Sequence, residues 1–295
     1  MIPFMKFKWL YFLISGVVII PGLICLILFG LKPSIDFTGG TLIEMSNLKC
    51  QTPGETAKIK KILDANNFAS TSIQSSGQNN CLLRLKALTS EQNNKFKTVL
   101  IKEFNKSQET SFETVGPVLG AEFLHKTILA AILAMIAILS YVAYAFKNIK
   151  FGVSAILALI HDLLVVMGVF AILGHFQNVE VDTLFVTAVL TTMSFSVHDT
   201  IIVFDRIREK IKTGAGNMPF ENLVNQALTE TIGRSLNNTL TLIFMLLALL
   251  LLGGETTKWF ILALLVGTTS GAYSSPFVAT PILVIWQKFE EKRKK

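Results

Sequence analysis

Six long apolar runs dominate the hydropathy pattern of this chain, and a polar stretch separates the first from the other five. An α-helix needs roughly 20 residues to cross a bilayer, and the runs are close to that length or longer. They cover residues 9–31, 123–146, 151–173, 184–204, 236–252 and 259–286. Pro21 and Gly22 predict a kink in the first run, which membrane helices tolerate when neighbours satisfy the backbone. The pattern predicts six membrane-spanning helices.

A shorter amphipathic stretch near residues 213–234 precedes the fifth run, which is itself short. Its apolar positions recur at three- and four-residue intervals, as on one face of a helix. They are Phe220, Leu223, Val224, Ala227, Leu228 and Thr231. We expect an interfacial helix that leads into the fifth span, and the fifth span could begin inside it.

The polar stretch alternates between strand and helix patterns in the order β-α-β-β-α-β. The predicted strands are 41–46, 70–74, 81–86 and 111–115, and the predicted helices are 54–67 and 89–105. This order is typical of a ferredoxin-like α+β domain. The chain is thus expected to be a polytopic α-helical membrane protein with one such domain. The expected segments are 1–31, the domain 32–122, a five-helix bundle 123–287 and a basic tail 288–295.

The distribution of charge orients these elements in the membrane. The net charge is +7, from 27 Lys and Arg against 20 Asp and Glu. The cationic clusters flank the spans on one side, whereas the loops 174–182 and 253–258 on the other side hold only Lys258. By the positive-inside rule both termini are expected in the cytoplasm, and residues 32–122 in the periplasm or another extracytoplasmic space. This distribution argues against nucleic-acid binding, and the first run reads as a retained anchor.

The three cysteines fit an external domain. Cys25 lies in the first span, where packing explains it. Cys50 follows the first strand and Cys81 begins the third, and these strands are antiparallel neighbours in a ferredoxin-like sheet. The two thiols are therefore expected to meet, either as a disulfide worth about 3–4 kcal/mol or as two free thiols.

The most informative polar residue is Asp199 in the fourth run. A carboxylate within hydrocarbon is costly and rarely lacks a role, so Asp199 is a candidate functional group. At helical spacing it shares a face with Thr192, Ser196 and Arg206, and His198 precedes it. We expect this polar stripe to face a partner helix or a hydrated path rather than lipid.

Two further spans carry polar side chains. In the third span, Asp162 follows His161, and the pair reads either as a local packing contact or, for Asp162, as part of a route. In the fifth span, one face is polar and carries Arg234, Asn237, Asn238 and Thr241. Arg234 reads either as an interface anchor or as the ionic partner of Asp199. The small residues of the sixth span, among them Ser270 and Ser274, are interpreted as a packing ridge.

These residues favour reversible protonation over catalysis. The chain has no phosphate-binding loop of the Gly-x-x-x-x-Gly-Lys type, no Cys/His cluster with zinc spacing and no recognisable serine nucleophile motif. No enzyme activity, metal or cofactor is predicted, and the expected coupling ion is the proton. Burial and a nearby guanidinium act in opposite directions on a carboxylate's proton affinity, so helix movement could load and release a proton at Asp199.

Four motifs resemble the SecF family of the RND superfamily. They are DFTGG at 36–40, VGP at 115–117, HDTIIVFDRIRE at 198–209 and RSLNNT at 234–239. The similarity covers nearly the whole chain in order. It implies that Asp199 and Arg234 form the proton-relay pair. The polar pattern of the spans adds Asp162, His198, Ser196, Thr192, Asn237 and Asn238 as candidate auxiliary groups. The family often has Asn where this chain has His198.

The resemblance also implies partners and a function. Such a protein works with SecD, and through SecD with SecYEG and SecA, on a translocating polypeptide. It sits in the lipid of the cytoplasmic membrane and uses the proton-motive force to assist export. The acid that SecD contributes to the proton route is absent from this chain. Two alternatives remain open, namely an RND-type exporter half for lipids or small molecules and a scaffold without proton work.

Overall fold

The computed structural model of the protein describes residues 2–66, 68, 70–76, 80–104, 107–146, 148–213 and 218–293. In chain order the elements are α1 Lys8–Phe29, α2 Ile35–Thr38, β1 Gly40–Ser46, α3 Pro53–Ala65, β2 Ser70–Ser76, β3 Asn80–Leu85, α4 Ser90–Glu103, β4 Gln108–Val115, α5 Pro117–Ala145, α6 Ile149–Gln177, α7 Thr183–Lys212, α8 Phe220–Leu252, α9 Lys258–Ser274 and α10 Thr280–Arg293. The chain divides into two compact units. One is Pro33–Leu129, and the other combines Met1–Lys32 with Ala130–Lys295.

The prediction of six membrane helices is confirmed. Within the described part of the chain, six helical segments are long and apolar enough to cross a membrane. The fifth of them, α8, begins at Phe220 and includes most of the amphipathic stretch. The predicted interfacial helix and the fifth span are therefore one continuous helix. Residues 214–217, on which part of the predicted glycine-rich loop falls, lie outside the description.

The apolar face predicted for the start of α8 is buried. Leu223, Val224, Ala227 and Leu228 are at most 4% exposed. The sixth span is interrupted, because the residues Ser275–Ala279 between α9 and α10 form a π-helical turn that contains Pro276. Proline cannot donate a backbone hydrogen bond within a helix, which accounts for the break at this position.

The polar unit has the predicted ferredoxin-like topology. Its antiparallel sheet has the strand order β2-β3-β1-β4, and α3 and α4 connect the strands in the β-α-β-β-α-β order. Both helices begin with a capping box, at Thr52 with Glu55 and at Thr89 with Gln92. The core is a cluster of fully buried side chains from the sheet and both helices: Ile43, Leu83, Ile59, Leu63, Phe96 and Leu100. Residues 77–79 of the predicted β2–β3 turn lie outside the description.

Two further features of this unit match the sequence reading. Gly39 and Gly40 have φ values of 71° and 137°, which favour glycine and allow the chain to turn into β1. A Cβ atom on Gly39 would also lie 2.7 Å from the Cα atom of Pro117, so the space itself requires glycine. Cys50 and Cys81 are joined by a disulfide, which is the first of the two expected alternatives.

Small residues bring the membrane helices close together. A Cβ atom on Gly267 of α9 would lie 2.5 Å from the side chain of Thr192 of α7. A Cβ atom on Gly22 of α1 would lie 2.7 Å from the Cα atom of Gly168 of α6. The small-residue ridge of the sixth span therefore packs as predicted, and it positions α9 directly against α7.

Candidate functional site

Asp199 lies on α7 and is half-buried at the contact with α8. Its Oδ2 atom accepts a hydrogen bond from the Ser235 hydroxyl at 3.1 Å. This hydrogen bond is a polar contact between α7 and α8 within otherwise apolar helices. Asp199 thus contacts a neighbouring helix, which is one of the two surroundings expected for the polar stripe.

Arg234 does not pair with Asp199 in this structure. Its side chain is exposed, and none of the ion pairs among the described residues joins the two. The physical reason is helix geometry, because adjacent residues on an α-helix point about 100° apart. When Ser235 faces α7, Arg234 turns to the side. The predicted proton-relay pair therefore remains a proposal about another state of the protein.

A row of polar side chains runs along the exposed side of α8 beside Asp199. This row, here called the α8 stripe, consists of Arg234, Asn237, Asn238 and Thr241, all of which are exposed. His198 on α7 is exposed as well. Polar groups within a bilayer need hydrogen-bond partners that lipid cannot supply. Thr241 meets this need within its own helix, because its hydroxyl donates to the backbone oxygen of Asn237 at 2.8 Å. The exposed side chains of Arg234, Asn237 and Asn238 therefore mark a surface suited to a polar partner.

The residues of the predicted polar face of α7 contact two different spans, the sixth span and α8. Thr192 and Ser196 are buried against α9, and Thr200 shares a hydrogen bond of 2.8 Å with Ser275. Arg206 is far along the helix and pairs with Glu209 and Glu230 instead. The face was predicted as one stripe. In the structure Thr192, Ser196 and Thr200 pack against the sixth span, whereas Asp199 contacts α8.

A second and more deeply buried carboxylate lies near the middle of α6. Asp162 is 4% exposed and accepts hydrogen bonds from Ser196 of α7 at 2.5 Å and from Ser270 and Ser274 of α9 at 2.6 Å each. The His161 Nδ1 atom lies 3.0 Å from its Oδ1 atom. These five residues are here called the Asp162 cluster. Both readings of Asp162 left open by the sequence fit, since the cluster is a packing contact and a polar chain.

The Asp162 cluster continues through His161 to α1. The His161 Nε2 atom lies 3.0 Å from the Ser15 hydroxyl. That hydroxyl lies 3.5 Å from the Tyr273 hydroxyl, which donates to the backbone oxygen of Tyr11 at 2.7 Å. Polar side chains of four helices are therefore connected inside the bundle.

The sequence did not predict the hydrogen-bonding role of two serines in this cluster. Ser270 and Ser274 were assigned a packing role only, whereas their hydroxyls also donate to Asp162. Their four-residue spacing did show that they share a face of the helix. It could not show that a carboxylate from α6 lies opposite that face. Among the described residues, no group of three or more His, Cys, Asp or Glu side chains could hold a metal ion.

Comparisons with known proteins agree with this architecture. The family model for the C-terminal part of SecD/SecF protein export membrane proteins matches residues 95–289, and the model for the SecD/SecF GG motif matches residues 26–46. The SecF protein translocase subunit of Thermobaculum terrenum is 41% identical over 97% of this chain and 94% of its own length. That of Anaerolinea thermophila is 38% identical over 96% and 93%.

Solved structures show the same fold. The crystal structure of SecDF, a translocon-associated membrane protein, from a Thermus species matches with a TM-score of 0.85 at 30% identity. It covers 97% of this chain, and this chain spans 38% of that SecDF chain. SecDF in a super-membrane-facing form matches with a TM-score of 0.67 at 29% identity, over 99% of this chain and 39% of that one. The chain belongs to the SecF family of SecD/SecF protein export membrane proteins.

Proposed function

We propose that this chain is an accessory subunit of the Sec protein translocase that couples the proton-motive force to polypeptide export across the cytoplasmic membrane. The proton is the coupling ion, and no bound cofactor takes part. Its family and its six membrane-length helices support a multi-pass protein of this membrane. Its termini face the cytoplasm, and the ferredoxin-like unit faces the opposite side, in agreement with the positive-inside rule.

The observation that carries this proposal is the position of Asp199. It is a half-buried carboxylate inside a membrane helix, held in this state by one hydroxyl. A carboxylate with so few partners can exchange its proton when the surroundings change, unlike a fully hydrogen-bonded one. Arg234 lies one residue from Ser235 on α8, so a rotation of α8 would bring its guanidinium toward Asp199 in place of the hydroxyl.

The exposed α8 stripe supports a second membrane subunit as partner. The solved SecDF chain is much longer than this chain, which corresponds to 38% of it. We infer that SecD covers the stripe. Through SecD the complex acts with SecYEG and SecA and holds the translocating polypeptide on the outer face.

The test is export of a secreted reporter in cells or vesicles that contain the complex. Asp199→Asn removes the exchangeable charge with little change of shape, and we expect it to abolish the stimulation of export by the proton-motive force. Arg234→Met is expected to impair export about as severely, because it leaves the carboxylate without its ionic partner. Asp205→Asn is the matched control, since Asp205 lies on the same helix but pairs with Arg208 on the exposed surface.

The outcomes separate the alternatives. Normal stimulation in Asp199→Asn would leave a scaffold without proton work. A defect in Asp199→Asn with normal export in Arg234→Met would remove Arg234 from the relay and keep the acid. If the chain does not co-purify with SecD, and export is independent of it, an exporter of lipids or small molecules becomes the better interpretation.

A further inference from the structure

We propose that the end of α10 is a binding site for an anionic phospholipid, with one acyl chain in an apolar groove of the helix and the phosphate between Lys292 and Arg293. The lipid belongs to the leaflet on the side of the chain's C-terminus. The site shares no residue with the Asp162 cluster or with the α8 stripe. It does not depend on the proposed function, because a membrane protein of any activity can bind a lipid in this way.

The apolar half of the site is a groove on the surface of α10. The groove has a volume of about 340 Å³ and is lined by Ile282, Ile285, Trp286 and Phe289. The Phe289 ring is 71% exposed, and the other three side chains are partly exposed. An exposed apolar patch marks a surface that contacts lipid or another protein. Tryptophan is enriched where a span meets the headgroups, so Trp286 favours lipid at this position.

Two cations lie directly beyond the groove on the same face of the helix. From Ile282 the groove residues recur at i, i+3, i+4 and i+7, and Lys292 and Arg293 follow at i+10 and i+11. Both cationic side chains are exposed. Within the described part of the chain, the ion pairs of this region include neither of them. Their charge is therefore available to an anion from outside the chain.

The acidic residues of the same segment are bound to other groups. Glu290 contacts the ammonium of Lys150 at 2.5 Å, and Glu291 accepts a hydrogen bond from the Gln287 amide at 2.9 Å. Neither position belongs to the series that the groove follows along the helix, because consecutive residues point about 100° apart. The face of the groove thus ends in two positive charges.

Ion pairs with other spans show where α10 leaves the apolar layer. Lys8 at the start of α1 and Lys288 of α10 both contact the same oxygen of Glu221 at 2.7 Å. Lys150, which contacts Glu290, lies at the start of α6. Cationic residues at the ends of spans lie at the level of the headgroups. The boundary therefore falls between the groove and the two cations, as the two parts of a phospholipid require.

The two cations favour a lipid with a net negative charge. Each Lys or Arg near a membrane surface raises the affinity for anionic lipid about fivefold. A zwitterionic headgroup carries an ammonium besides its phosphate, and that ammonium is repelled by the same side chains. The preference depends on charge at an exposed surface, so salt is expected to weaken it.

The experiment measures quenching of Trp286 fluorescence by lipids with brominated acyl chains. The chain has three tryptophans, so Trp9→Phe combined with Trp259→Phe leaves Trp286 as the reporter. This reporter chain is placed in phosphatidylcholine vesicles that contain either brominated phosphatidylglycerol or brominated phosphatidylcholine. At low salt, we expect the anionic lipid to reach half-maximal quenching at a mole fraction at least about fivefold lower. At high salt the difference should shrink.

The decisive variants remove two positive charges in different places. Lys292→Gln with Arg293→Gln in the reporter chain is expected to abolish the preference for phosphatidylglycerol. Lys60→Gln with Lys61→Gln is the matched control, because these exposed lysines of α3 lie in the polar unit. It changes the net charge equally and should leave the preference intact. Native mass spectrometry of lipid retained by the wild-type chain and by each double variant makes the same comparison without tryptophan substitutions.

Three results would overturn the proposal. One is equal quenching by the two brominated lipids, which is also the result if the cations serve an RNA or an acidic protein instead. Another is a preference that Lys292→Gln with Arg293→Gln leaves unchanged. The last is an equal loss of preference in the control, which would make it an effect of net charge alone.

Discussion

The membrane bundle contains two carboxylates that differ in how completely this chain surrounds them. Asp162 is 4% exposed and contacts three serine hydroxyls and one imidazole from α6, α7 and α9. Asp199 is half-buried and, within the described part of the chain, accepts one hydrogen bond, from Ser235 of α8. The first site is complete within the chain. The second lies beside the α8 stripe, whose Arg234, Asn237 and Asn238 side chains are exposed.

The difference indicates which of the two sites this chain can complete by itself. A buried polar network is favourable when every member has a partner and unfavourable when partners are missing. The Asp162 cluster meets that condition inside one polypeptide, so it can stabilise the bundle by itself. The Asp199 site does not, which is expected of a site that another subunit completes and that changes its contacts during work.

The largest expected effect comes from making the same substitution at both acids. Asp162→Leu removes the acceptor of three buried serine hydroxyls and the partner of the His161 Nδ1 atom, so we expect it to destabilise the isolated chain by about 3–5 kcal/mol. Among the described residues, Asp199→Leu leaves the Ser235 hydroxyl without its acceptor. That hydroxyl can bond to its own helix, so a change within about 1 kcal/mol is expected. Unfolding of the purified chain in mixed micelles measures both free energies.

Equal losses of stability for the two variants would contradict the comparison. A fully folded Asp162→Leu protein with unchanged stability would show that the cluster is not needed to hold α6, α7 and α9 together. The interpretation of Asp199 as an incomplete site would be lost if Asp199→Leu were the more damaging change.

A glycine substitution on each side of the bundle is expected to give a smaller contrast. Gly267→Ala places a Cβ atom within 2.5 Å of Thr192 and forces α9 away from α7, next to the Asp162 cluster. We expect a loss of about 1–3 kcal/mol in the free energy of unfolding, as in other overpacked sites. Gly233→Ala on α8 is the matched control, because nothing lies within 4 Å of its Cβ position. It should stabilise the helix by about 0.4–1 kcal/mol.

The two acids also show what could be predicted from the sequence. Six spans and the ferredoxin-like unit could be predicted, because long apolar runs and the β-α-β-β-α-β order allow few other arrangements. Asp199 could be singled out for the same reason, since a carboxylate within an apolar run is rare. Each of these inferences depends only on the pattern of residue types within one stretch of the sequence.

The remaining features depend on which helices meet. The face of α9 with Ser270 and Ser274 could be predicted from their spacing, but not its contact with Asp162, which lies more than 100 residues away in the chain. For the same reason the side of α8 that faces Asp199 could not be predicted. The sequence favoured Arg234, whereas the structure places its neighbour Ser235 there.

The smallest effect on stability, and a selective effect on assembly, is expected at the α8 stripe. The Asn238 side chain is exposed and makes none of the side-chain hydrogen bonds found in the described part of the chain. Asn238→Leu should therefore change the stability of the isolated chain by no more than about 0.5 kcal/mol. If SecD covers the stripe, the substitution removes a hydrogen bond worth about 1 kcal/mol, and the affinity for SecD should fall about fivefold.

The control for that experiment is Thr191→Leu on α7. Thr191 is also an exposed polar residue in a membrane helix, but its hydroxyl donates to the backbone oxygen of Thr187 at 2.7 Å and needs no outside partner. Co-purification with tagged SecD measures both variants. Weaker recovery of Asn238→Leu with normal recovery of Thr191→Leu would place SecD on the α8 stripe. Equal recovery of both would mean that SecD binds elsewhere, and the incomplete surroundings of Asp199 would then need another explanation, such as water entering between α7 and α8.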